Sequence, residues 1–174
     1  MNSSKILHDI VNSAAGAKAH FDIWWAQVSD SSKPEFVSTM NKHSEFFLAS
    51  QDAHYIAFFV YFSQMFDKDN NSSSLASYLK SIRNSTNPVT WDALFDHYNT
   101  LLNRARPIIF VRNKTVAHID TKLNEKSAFG NLNITWSEIR STVYDSAEFV
   151  TALSGSSNPS ASCGFHAIRT LSPR

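Results

Sequence analysis

Arg112, Asn113, Lys114, His118 and Asp120 fall within one nine-residue string, Arg112-Asn-Lys-Thr-Val-Ala-His118-Ile-Asp120. These residue types suit phosphodiester chemistry that needs no metal. The 2′-hydroxyl of RNA is an internal nucleophile beside its own phosphate. A neutral imidazole with a reference pKa of about 6.5 can take that proton near neutral pH. A guanidinium can grip the non-bridging phosphate oxygens in bidentate fashion and offset the charge that grows in the transition state. His118 and Arg112 are the candidates for these two roles. Asn113 can orient a phosphate or a water, and Asp120 can fix the imidazole tautomer. Arg104, Arg106, Lys114 and Lys122 add a basic neighbourhood for further phosphates. A plainer reading uses the same residues: cations complement the carbonyl end of a helix dipole.

The elements that must position this string read as helices. Gly is scarce, with four residues in 174, and apolar residues recur at helical spacing. A first helix is predicted from Ser4 to Val28. A second opens at Pro34 and runs to Phe66, with its surroundings near Phe58 apolar on nearly all sides, as for a central buried helix. Asp67–Ser74 reads as a polar loop, Leu75–Ile82 as a short helix, and Asn84–Pro88 as another loop. Thr90 is the expected N-cap of a fourth helix, which Pro107 should kink or restart. Asp120–Thr135 is predicted as a loop and Trp136–Leu153 as the last helix. These elements imply an all-α, up-and-down bundle of four or five helices over residues 1–153, followed by a flexible Ser/Pro/Gly-rich tail, 154–174. On a straight helix, Arg112 and His118 point about 120° apart. They can share a site if the helix distorts near Thr115 or if two chains contribute to one cleft.

Composition narrows the classes. With 43% apolar and 18% charged residues the chain reads as one globular domain. Its net charge of +1 supplies no global field for nucleic acid, so any such contact must be local. A single cysteine, Cys163, excludes a disulfide framework and a cysteine-built zinc site. No signal-peptide pattern opens the chain, and its most apolar run, Tyr55–Phe62, is too short to cross a bilayer. A soluble cytoplasmic protein without cofactor is the expectation.

Other clusters have structural explanations. His43 and His54 fall within about 20° on one predicted helix face, and His97 and His20 are the residues that would join them in a metal cluster. Helical-bundle metal sites carry Glu-x-x-His pairs, which this chain lacks, so these histidines read as polar groups at helix interfaces. The Trp24-Trp25 pair, Trp91 and Trp136 read as packing, part of it open to a dimer interface. Asp67–Asn71 lacks the Gly and terminal Glu of a calcium loop and reads as a polar turn.

The Arg112-x5-His118 spacing resembles the Arg-x(4–6)-His signature of the HEPN superfamily. His20-Phe-Asp-Ile-Trp24-Trp25 and Gln64-Met-Phe-Asp67 are similar to its AbiU-type abortive-infection branch, and the resemblance spans residues 15–150. It implies a homodimer whose motifs face each other, Arg112 and His118 as the catalytic pair of a metal-independent endoribonuclease, and an antitoxin or nucleotidyltransferase as possible partner. Some HEPN toxins carry a Tyr two residues after the His, which such a nucleotidyltransferase modifies; Asp120 stands there in this chain. The alternative is a non-catalytic HEPN-type module that binds a protein or nucleotide.

Overall fold

The computed structural model describes residues 2–31, 33–115 and 134–156. Among them are six α-helices and no strand: α1 Ser3–Val28, α2 Lys33–Lys42, α3 Ser44–Met65, α4 Leu75–Ile82, α5 Pro88–Thr115 and α6 Trp136–Ser156. The fold is all-α, as the periodicity predicts.

The helix starts follow side-chain chemistry. Asn2 caps α1 by accepting the Ser4 N–H at 3.0 Å. At α6, Thr135 and Glu138 form a reciprocal capping box: Thr135 N–H donates to Glu138 Oε2 at 2.7 Å, and Glu138 N–H donates to Thr135 Oγ1 at 3.2 Å. The backbone N–H of Thr135 holds the Glu138 carboxyl below its ordinary pKa. Three boundaries differ from expectation. The helix foreseen from Pro34 to Phe66 is two helices, separated at His43, whose backbone (φ −130°, ψ 46°) leaves the helical region. The fourth helix starts at Pro88 rather than beyond Thr90, because Asn87 Oδ1 accepts the Val89 N–H and Pro88 needs no partner in the first turn. No restart occurs at Pro107, which lies inside α5. Losing that one N–H costs about 3 kcal/mol in a helix interior. Leu101, Ala105, Ile108 and Val111, all buried on one stripe through the proline, offset it.

α1 lies along α3 and α6, and α5 crosses α3 and α6. The interior is aromatic. Phe21, Phe58, Phe59 and Phe62 are fully buried, Phe21 meets Phe58 edge-on at 5.2 Å, and Trp24 meets Trp136 at 4.5 Å. A polar clasp joins α1 to α6: Lys18 Nζ and Tyr144 Oη both donate to Asp22, each at 2.7 Å. Donating this hydrogen bond to Asp22 raises the Lys18 pKa.

The second predicted helix divides in burial as well. The C-terminal half of α3 is central, as expected. α2 and the first turns of α3 project from the body, leaving Phe46 68%, Leu48 62% and Ile56 48% exposed, with Phe36 and Val37 above 40%. α6 also runs three residues into the predicted tail. The remaining tail, with Cys163, lies outside the described residues, as does most of the loop predicted at 120–135. No helix among the described residues is long and apolar enough to cross a membrane.

Candidate functional site

Arg112 sits in the last turn of α5. There, α5 passes the end of α3, and the two helix ends bound an open cleft of about 360 Å³. Val60, Ser63, Gln64 and Phe66 line it from α3 and its C-cap, Asp67 and Lys68 from the following loop, and Ile109, Arg112 and Asn113 from α5. Burial of Ile108 and Val111 fixes the rotation of α5, and burial of Phe62 and Met65 fixes that of α3. The polar residues between those anchors are thereby directed to the cleft.

Two polar atoms of this region are buried with no hydrogen-bond partner among the described residues: Arg112 Nε and Ser63 Oγ. Such groups are uncommon in folded proteins, and each costs about 1–3 kcal/mol when unsatisfied. The rest of the guanidinium is directed by its neighbour, since Arg112 Nη1 donates to Asn113 Oδ1 at 3.1 Å. That bond occupies the amide oxygen of Asn113 and leaves its NH2 group available. Gln64 is steadied from α1 by Ser13 Oγ, 3.2 Å from Gln64 Oε1. Asp67 is the one carboxylate among the described lining residues, and its Oδ1 accepts the Asp69 N–H at 3.0 Å in a local turn.

The remaining sequence candidates scatter. His118, Asp120 and Lys122 lie outside the described residues, so the pairing of Arg112 with His118 is not on view. Arg104, two turns before Arg112, faces α6: its Nη1 meets Asp145 Oδ2 at 2.6 Å and its Nη2 meets Ser141 Oγ at 2.9 Å. Arg106 is exposed. Lys114 Nζ stands 5.9 Å from the Phe110 ring centroid. Of the basic neighbourhood, the cleft takes only Arg112, together with Lys68 from another part of the chain. Sequence reasoning assigned no role to Ser63 or Lys68. Both reach the cleft through helix–helix packing, for which no local pattern exists.

The histidines regroup. The break at His43 removes it from the face of His54, and His97 packs against Phe149 at 4.6 Å instead. His20 and His54 meet across α1 and α3, Nδ1 to Nδ1 at 2.7 Å, and the His20 ring stacks on Tyr61 at 5.5 Å. One ring must donate and the other accept, so the contact holds a single proton. Burial first, and then repulsion from His54, push the His20 pKa below its ordinary value. No group of three or more metal-ligating side chains occurs among the described residues.

Residues 4–158 match the family model HEPN_AbiU2, described as AbiU2. Neither a curated relative nor a solved structure shows significant similarity to the chain.

Proposed function

Starting from the membership of this chain in the AbiU2 family of HEPN domains, we propose that it is a metal-independent endoribonuclease of a defence or toxin–antitoxin system, acting as a homodimer. The observation that carries the reading is the cleft at Arg112: a half-buried guanidinium with an unsatisfied Nε, at the end of the helix that leads into His118. Cationic donors in a partly desolvated cleft suit a phosphate whose charge grows during reaction.

In the proposed step, His118 takes the proton of the 2′-hydroxyl as its oxygen attacks phosphorus. The P–O5′ bond breaks, leaving a 2′,3′-cyclic phosphate on one fragment and, after protonation by water, a 5′-hydroxyl on the other. Arg112 stabilises the pentavalent phosphorane, and Asn113 holds Arg112. Lys114, Arg106 and Asp120 are supporting groups around the strand. Arg104 keeps a structural tie to α6 alongside any such part. The exposed apolar residues of α2 and early α3, Phe36, Phe46 and Leu48, support self-association, because a patch of this kind on a small domain marks a contact surface.

The test uses purified protein and a defined RNA in EDTA. Cleavage should proceed, yield cyclic-phosphate ends, and stop when the 2′-hydroxyl at the cleaved position is replaced by hydrogen. Loss of cleavage in EDTA, or indifference to the 2′-deoxy substitution, would refute the mechanism.

A further inference from the structure

Three residues on the α3 side of the cleft, Ser63, Gln64 and Lys68, are left without a part in that mechanism. With the α5 residues they make a lining rich in donors. Lys68 Nζ offers only donors, and so does the Arg112 guanidinium. Asn113 has its amide oxygen engaged by Arg112 Nη1 at 3.1 Å, and its NH2 is a further donor. Ser63 Oγ and Arg112 Nε are both buried and have no hydrogen-bond partner among the described residues. Among the described lining residues Asp67 alone supplies a negative charge, and one of its oxygens already takes the Asp69 N–H. A surplus of donors around an open space of about 360 Å³ calls for a ligand made of acceptors.

We propose that this cleft is a two-sided phosphodiester cradle, in which Ser63, Gln64 and Lys68 from the α3 end hold the RNA backbone against Arg112 and Asn113 from the α5 end. The inference rests on the reading of Arg112 as a phosphate-binding group, and it adds three binding residues that lie far from the Arg112–His118 string in sequence. Lys68 contributes as a point charge on an exposed loop, setting affinity and salt dependence. Gln64, steadied by Ser13, contributes a directed amide and fixes the path of the strand between the helix ends. These groups hold the strand and touch no transferring proton, so their loss should appear in KM and leave kcat near its original value.

The experiment measures binding of a single-stranded oligodeoxynucleotide, which presents the same phosphates but has no 2′-hydroxyl to attack. Lys68→Ala and Gln64→Ala should each weaken binding about tenfold, and Lys68→Ala should lower the salt slope by about one. Gln64→Glu should weaken it further by placing a carboxylate among the donors. Both positions are exposed, Gln64 at the end of α3 and Lys68 just beyond it, and thermal unfolding should match the parent chain. If these variants bind as the parent does while Arg112→Ala does not, the cradle is overturned and the Arg112 reading stands. If the parent chain binds no oligonucleotide, the cradle is likewise overturned. Should binding depend on Lys68 and Gln64 while RNA is never cleaved, the nuclease reading falls and the cradle stands.

Discussion

Helix α3 carries two polar clusters, and they differ in whether their hydrogen-bonding capacity is used. Midway along it, His54 meets His20 at 2.7 Å beneath the Tyr61 ring. The two rings satisfy each other with one shared proton. At its end, Ser63 Oγ and, from α5, Arg112 Nε are buried atoms without a partner among the described residues, beside an open cleft. A closed pair is complete in the free protein, and its worth is stability. An open set costs stability in the free protein, and the proposed RNA contact would complete it. The two regions should therefore answer opposite experiments.

The largest expected effect is on chemistry at the open end. Arg112→Lys keeps the charge but loses the bidentate fork, and should lower RNA cleavage about 10²-fold, read as initial rate on a defined RNA. Retained cleavage would mean that Arg112 is only a helix-end cation. At the closed pair the effect should be structural. A Cβ built on Gly16 would stand 2.9 Å from the Tyr61 ring that covers His20. Gly16→Ala should thus destabilise the fold by about 1–3 kcal/mol, as overpacking does. Unchanged denaturant unfolding would show that the Tyr61 lid is loose.

A third outcome concerns pH. The His20 pKa is depressed in the folded protein, so the unfolded chain binds protons more readily as pH falls below about 6.5. His20's contribution to stability is full above that pH and is lost as pH falls through the depressed folded value. Unfolding measured between pH 7.5 and 5 should show this loss, and His54→Asn should reduce it while the larger part, from burial of His20, remains. Asp22 and Lys18 sit about 200° around α1 from His20 and pair with each other, so they do not produce the slope. The smallest effect separates the clusters by sign. Ser63→Ala removes a hydroxyl that has no partner among the described residues, so stability should stay level or rise by up to about 1 kcal/mol. A clear loss would mean that Ser63 is satisfied, and the contrast between the two regions would weaken.

Much of the fold was legible in the residues, and the reasons are local. Apolar spacing placed α1 and α4 within a residue, because both helices bury one continuous stripe. The break at His43 was not legible. The pattern there stays helical, while the stretch around the break projects from the core and lacks packing to keep it straight. Continuity through Pro107 failed to show for the converse reason: tertiary burial outweighs a local breaker. The start of the last helix at Trp136 was legible too, and the Thr135-x-x-Glu138 capping box is its physical cause. At the site, the string around Arg112 pointed to the family, and its first residues end α5 beside the cleft. Ser63 and Lys68 were illegible because only the approach of α3 to α5 brings them beside it. The meeting of His20 with His54 has the same origin.

The most direct test sets Arg112→Ala against the parent chain in one assay, cleavage of a defined RNA in EDTA, with thermal unfolding of the same samples as control. The account predicts that cleavage falls by about 10²–10³-fold while the unfolding temperature holds or rises, since an unsatisfied buried donor is removed. Cleavage that persists in the folded variant would contradict it.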